Sequence, residues 1–196
     1  MIKKGKIIIL SGPSGSGKTT LYKRLLADKN FKNRLVRPIS VTTRPSRPGE
    51  KHGRDYFFIS KRMFLAKKRA GHFLESQKVF DNYYGTPRKY VHDLLKTGKN
   101  VLLCIDVKGA KVVCRKHPKV VKIFVKTPSF KILKKRLESR GSEHKDHVAL
   151  RLKTARQELK EAKHYDYIII NDQLPHADEK LQKIISLTLN EEMGKR

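Results

Sequence analysis

The sequence predicts an α/β fold, a mostly parallel sheet flanked by helices. Three observations carry that expectation. Short apolar runs with little polar alternation lie at residues 6–10, 101–105, 120–125 and 167–170, as strands covered on both faces require. Segments with apolar residues spaced by threes and fours separate them. The first run ends in a glycine-rich turn that opens into a helical stripe, the opening of a strand–turn–helix unit.

Taken in order, residues 6–10 form the first strand, and Leu21, Leu25 and Leu26 follow at helical spacing. Residues 39–41 and 56–59 read as short strands. Ser60 caps a helix over residues 61–70, and Gly71 stops it. Thr86-Pro87 reads as an N-cap followed by proline at the first helical position. Val91, Leu94 and Leu95 make that helix's buried stripe, and Gly98 ends it. Residues 101–105 and 120–125 are the next strands, the latter interrupted only by Lys122. Thr127-Pro128 starts a helix with Phe130, Leu133 and Leu137 on one face and Gly141 as its stop. Val148, Leu152, Ala155, Leu159 and Ala162 mark another helix, residues 167–170 a strand, and Leu181, Ile184, Ile185 and Leu189 a closing helix. Residues from about 36 to 87, rich in aromatics, Arg, Pro and Gly, break the rhythm. So do the basic, helical residues from about 129 to 163. Both read as excursions from one core sheet.

The 196-residue length suits one domain with inserted subdomains. No apolar run is long enough for a transmembrane helix, and the N-terminal residues lack the apolar stretch of a signal peptide. Cys104 and Cys114 cannot alone build a disulfide framework or a four-ligand zinc site, so they are expected as reduced thiols in a cytoplasmic protein. His144 and His147, three apart, have no thiol or further histidine nearby and read as surface residues. Lys and Arg number 46 against 18 Asp and Glu, a formal charge of +28. That excess points to anionic partners: nucleotides, nucleic acid or acidic surfaces. It is spread along the chain, with clusters at Lys67-Lys68-Arg69, Lys134-Lys135-Arg136 and Lys195-Arg196. Most of these cations are expected on solvated helix faces.

Gly12, Pro13, Ser14, Gly15, Ser16, Gly17, Lys18 and Thr19 fit G-x-x-x-x-G-K-[ST]. The chemistry needs this spacing. Glycines let successive backbone N–H groups turn inward around a phosphate, and the following helix offers its positive end to the same anion. Lys18 reaches the β- and γ-phosphates, and the Thr19 hydroxyl serves Mg²⁺. The motif follows an apolar strand and precedes a helical stripe, the context that supports it.

With the loop placed, the chain resembles a guanylate kinase essentially end to end. The resemblance is carried by G-P-S-G-S-G-K-T at 12–19, S-V-T-T-R-P-S-R-P-G-E at 40–50 and G-R-D-Y at 53–56. It continues through F-L-E at 73–75, N-Y-Y-G-T at 82–86, I-D-V-K-G at 105–109, R-L-E-S-R-G at 136–141 and N-D at 171–172. The resemblance implies a P-loop kinase fold: a core of residues 1–35, 88–128 and 164–196, a GMP-binding subdomain at about 36–87 and a helical lid at about 129–163. It implies transfer of the γ-phosphoryl group of ATP to GMP with Mg²⁺, in purine nucleotide metabolism. By motif, Arg44, Arg47, Tyr56 and Tyr84 hold the GMP phosphate. Ser40, Glu75, Thr86 and Asp106 read or position the guanosine. Arg136, Arg140 and Arg151 act from the lid on the ATP phosphates. Thr20 belongs with the ATP-binding loop, and Asn171 lies near the adenine. Lys18, Arg44 and the three lid arginines form the catalytic set.

The residue types suit those roles on their own terms. Arginine's planar fork grips phosphate oxygens bidentately. Guanine presents N1–H and N2–H₂ donors beside O6, and a carboxylate such as Glu75 matches the donors while a Ser40 or Thr86 hydroxyl matches O6. The chain also departs from the family pattern. Cys104-Ile105-Asp106 stands where D-x-D is usual, and Lys108 where Gln is usual, so an anion near the Mg²⁺ shell is missing; Glu50 is a candidate to supply part of it. Ser76-Gln77-Lys78 replaces the usual Trp-Ala after Glu75, removing a large apolar wall. Two alternatives stand beside the leading reading: a related phosphotransferase with another acceptor, and a catalytically weak module that binds a phosphopeptide or nucleic acid. Monomer or weak homodimer is the expected assembly.

Overall fold

A computed structural model describes residues 4–79, 81–139 and 145–190. The strands are β1 (Ile7–Ser11), β2 (Leu35–Val36), β3 (Val41–Thr42), β4 (Phe57–Phe58), β5 (Phe73–Val79), β6 (Asn82–Pro87), β7 (Asn100–Cys104), β8 (Val121–Lys126) and β9 (Tyr167–Ile170). The helices are α1 (Lys18–Ala27), α2 (Lys29–Lys32), α3 (Lys61–Arg69), α4 (Arg88–Lys96), α5 (Val107–Lys116), α6 (Phe130–Glu138), α7 (Lys145–Lys160) and α8 (Leu174–Asn190), with a 3₁₀ turn at Glu161–His164. The fold is α/β, and the strand pairs β1–β8, β8–β9 and β2–β7 are all parallel.

The chain forms two compact units. One comprises Ile8–Asn33, Cys104–Val107 and the chain from Val121 onward. Here β8 lies between β1 and β9, with Ile8 opposite Val121 and Ile123 opposite Tyr167. All five residues of β1 are buried, as a strand covered on both faces must be. Leu133, Leu137 and Ala155 hold α6 against α7, with Phe130, Leu152 and Leu159 packed around them. Each fully buried leucine there contributes about 1.5–3 kcal/mol. Val107, Phe124 and Ala162 make a second cluster, onto which the Tyr165 ring packs edge-on.

The other unit comprises the residues up to Ile7, Arg34–Leu103 and Lys108–Val120. It contains the β2–β7 pair and a four-stranded mixed sheet in the order β4-β3-β6-β5. In that sheet β3 pairs parallel with β4 and antiparallel with β6, which pairs antiparallel with β5. Val41, Phe64 and Phe73 form its core, with the Phe64 and Phe73 rings stacked at 4.6 Å. Gly85 is required there, because a Cβ would stand 2.9 Å from the Phe73 ring.

Several boundaries differ from the sequence reading. Ser60 caps α3 as expected, accepting from the Met63 N–H. Thr86-Pro87, expected to open α4, ends β6 instead. A residue before proline is pushed to extended backbone, and the Thr86 hydroxyl is engaged by Glu75. The cap of α6 is Ser129, whose hydroxyl accepts from Ile132 N–H, and not Thr127, whose hydroxyl donates to the Ser129 carbonyl. Gly141 and His144 lie outside the described residues.

Candidate functional site

The glycine-rich segment joins the buried end of β1 to α1. Gly12, Gly15 and Gly17 all have positive φ, and a Cβ at Gly12 would lie 2.1 Å from the Val125 carbonyl oxygen. At Gly17 a Cβ would lie 2.0 Å from Asn171 Nδ2. The turn is therefore closed to side chains at both ends, and its curvature follows from composition. Gly17 caps α1 without a side chain, and the first turn contains no acid. The first turn thus brings no carboxylate of its own to the N-terminal N–H groups. Lys18 and the exposed Thr19 and Thr20 open the helix. Lys18 Nζ donates to the carbonyls of Gly12 and Pro13, the latter at 2.8 Å, folding the cation across the loop. The Ser16 hydroxyl is buried inside the turn and has no hydrogen-bond partner among the described residues.

Asn171 follows β9 and is 5% exposed. Its Nδ2 donates to the Ser16 carbonyl at 2.8 Å, and its own carbonyl accepts from Arg136 at 3.1 Å. The asparagine thus ties the loop to β9 and to α6. Gly15 packs on Leu133 and Leu137, so the same helix also buttresses the loop through apolar contact. Replacing Asn171 with alanine unsatisfies a buried carbonyl. It is expected to destabilise the fold by about 1–3 kcal/mol, read as a lower denaturant midpoint at unchanged slope. Arg151 lies half-buried on α7, and Arg140 lies outside the described residues. Cys104 ends β7, and Asp106 stands partly exposed between β7 and α5.

The four-stranded sheet gathers most of the remaining residues. Its register sets Thr42 opposite Tyr84, Gln77 opposite Tyr84, and Glu75 opposite Thr86. Glu75 is 5% exposed, and the Thr86 hydroxyl donates to its Oε1 at 2.6 Å. A buried carboxylate with one oxygen engaged by a hydroxyl is a directed acceptor, costly to leave unmatched.

Arg44 lies two residues beyond β3. Its Nη2 donates to both Glu50 oxygens, at 2.9 and 2.8 Å, and its Nη1 to the Pro45 carbonyl at 2.6 Å. The guanidinium carbon is 5.7 Å from the Tyr56 ring centre and 5.9 Å from that of Phe58. Tyr56 and Tyr84 meet edge to face at 6.1 Å. One arginine, two tyrosines and a phenylalanine therefore form a single cationic, aromatic cluster. Phe58 and Glu50's part in it were not foreseen; the only sequence signal was Glu50's position six residues after Arg44. The Arg47 side chain is exposed, although its backbone N–H donates to Glu50 at 2.9 Å. Ser40 precedes β3, and its carbonyl accepts from Phe57 N–H.

Glu50, read as a candidate Mg²⁺ ligand, has both oxygens committed to Arg44 and Arg47. Burial alone would raise its carboxyl, but the Arg47 N–H and the Arg44 guanidinium outweigh that and hold it below 4.5. A depressed folded-state pKa adds stability that is present above the unfolded value and lost as pH falls through the folded one. Glu50→Gln is therefore expected to flatten the decline in thermal stability below pH 4.5, relative to the native chain.

Among the described residues no group of three or more His, Cys, Asp or Glu is arranged to hold a metal. The exposed Thr19 hydroxyl beside the loop fits Mg²⁺ carried in on phosphate oxygens, since Mg²⁺ keeps several waters and takes few protein ligands. No described helix is long and apolar enough to cross a membrane.

The guanylate kinase family model matches residues 4–188. A guanylate kinase of Symbiobacterium thermophilum is 43% identical over 182 residues, 93% of this chain and 85% of that protein. One of Oceanobacillus iheyensis is 45% identical over 186 residues, 94% of this chain and 89% of the other. The crystal structure of guanylate kinase from Anaplasma phagocytophilum superposes with a TM-score of 0.76 at 32% identity, covering 95% of this chain and 87% of that one.

Proposed function

This chain belongs to the guanylate kinase family and transfers the γ-phosphoryl group of ATP to GMP, giving ADP and GDP; from that premise we propose how its own residues divide the work. The observation that carries the proposal is the buried Glu75–Thr86 pair, in a chain that also carries a complete phosphate loop. Gly12 to Thr20 wrap the donor phosphates with backbone N–H groups. Lys18 exchanges its bonds to the Gly12 and Pro13 carbonyls for phosphate oxygens. Arg44, steadied by Glu50 and flanked by Tyr56 and Tyr84, receives the GMP phosphate, with Arg47 adding charge from the loop. Glu75 accepts from guanine N1–H and N2–H₂ while the Thr86 hydroxyl, donating to Glu75, holds that carboxylate in place; the Ser40 hydroxyl addresses O6, and Asp106 positions the nucleoside.

No covalent intermediate is needed, because phosphoryl transfer is mostly alignment and charge stabilisation. Arg136, Arg140 and Arg151 balance charge on the donor phosphates, and Asn171 acts through the loop it braces. The Thr19 hydroxyl would help hold Mg²⁺ brought in on the nucleotide, which would supply further charge neutralisation. Residues at about 129–163 act as the lid and those at about 36–87 as the acceptor subdomain, over a core of 1–35, 88–128 and 164–196. Closure keeps water from the γ-phosphate. The expected assembly is a monomer or weak homodimer. Cys104 and Cys114 are not joined in a disulfide, which suits a reducing, cytoplasmic setting.

The test is a coupled ADP-release assay with ATP and Mg²⁺ that compares GMP, dGMP, AMP and UMP. The residue assignments require GMP to be the preferred acceptor by orders of magnitude over AMP. Comparable turnover of AMP would remove Glu75 and Thr86 from the recognition role.

A further inference from the structure

A cavity of about 760 Å³ opens on the opposite face of the four-stranded sheet from Glu75, Thr86 and Tyr84. The register establishes the opposition. Val41 pairs with Phe57 and Gly85, whereas Thr42 pairs with Phe58 and Tyr84. Successive strand residues point to opposite faces, so Val41 and Phe57 turn away from the acceptor residues.

The floor is apolar: Val41, Phe57, Ile59, Phe73 and Pro87. Phe57 is 37% exposed, so its ring is open to a molecule lying in the cavity. The rim is cationic. Lys67 reaches it from α3, and Arg88 and Lys96 from α4. Its acid, Asp93, is already paired with Lys89 at 2.8 Å. Lys96 also lies in the field of Asp93, and no described carboxylate forms an ion pair with Lys67 or Arg88. The size falls within the range of small-molecule sites.

These properties define the occupant. Three imidazoles, His52, His72 and His92, also line the cavity and, with the rim cations, can donate to one anionic head, whereas the five apolar side chains offer no polar partner to the rest of a bound molecule. A hydrocarbon chain needs no such partners, and a single anionic head matches the unpaired rim cations. We propose that this cavity binds a single-chain amphipathic anion, an alkyl or acyl chain ending in a phosphate or a carboxylate. The site uses no residue of the phosphoryl-transfer machinery, so the inference stands or falls apart from the reaction.

The experiment is isothermal titration of the full chain with dodecyl phosphate and with dodecanoate, each below its micelle concentration. Saturable one-site binding is expected, and the tighter of the two heads identifies the source. Lys67→Ala/Arg88→Ala should weaken it at least about tenfold while leaving thermal unfolding and GMP turnover unchanged. Saturating GMP should not displace the ligand. The proposal is overturned by any of four results: no saturable heat; equal affinity for dodecyltrimethylammonium; displacement by GMP; or binding to phosphatidylglycerol vesicles without binding of the monomeric amphiphile.

Discussion

Lys18→Met is expected to lower kcat for ADP formation by on the order of 10³-fold, about 4 kcal/mol of lost transition-state stabilisation. The size follows from what the loop can and cannot do without its cation. Backbone N–H groups and the end of α1 still bind a triphosphate, so KM for ATP should rise far less than kcat falls. The ammonium is the one full charge in the loop, held across it by the Gly12 and Pro13 carbonyls. Methionine keeps the stem and removes the donor. Gly12 and Pro13 are buried, so removing the donor is also expected to cost about 1–3 kcal/mol of stability, and preserved far-ultraviolet circular dichroism is the check that the variant is folded. Steady-state kinetics on a variant shown to be folded checks this. A variant that kept most of its kcat would take Lys18 out of the chemistry.

The phosphate loop was legible because it is local. Its spacing, its preceding apolar strand and its following leucines all lie within about twenty residues, where pattern and composition act directly. The acceptor half was not. The sequence reading found no strands at β5 and β6, although these form the longest hairpin of the four-stranded sheet. Residues 73–79 mix apolar, acidic, amide and basic side chains because one face of the strand carries Glu75 and the other helps build a core around Phe73. Alternation is further broken by a register shift between Phe73 and Glu75. Only the resemblance to a family singled out Glu75 and Thr86. In the same way α5 escaped notice: its stripe of Val107, Ala110 and Val113 is short and set among lysines. Glu50 shows the opposite failure, a carboxylate whose partner, Arg44, is fixed by the fold of a loop and not by any period in the sequence.

The acceptor half yields the second large expected effect. Glu75→Gln should cut kcat/KM for GMP on the order of 10²–10³-fold, about 3–4 kcal/mol, while AMP turnover changes little. The substitution is nearly isosteric, and the Thr86 hydroxyl can still donate to the glutamine carbonyl oxygen. Stability should therefore stay close to native. What changes is the face offered to the base: a carboxylate accepts from both N1–H and N2–H₂, whereas an amide presents one acceptor and one donor against two donors. Because Glu75 is buried, water cannot repair the mismatch, and an unmatched buried donor carries its full desolvation cost. The ratio of GMP to AMP turnover isolates recognition from folding and from phosphate binding at Arg44, which both nucleotides share. A ratio unmoved by Glu75→Gln would mean that selection is made elsewhere, and that the Glu75–Thr86 pair only holds β5 to β6.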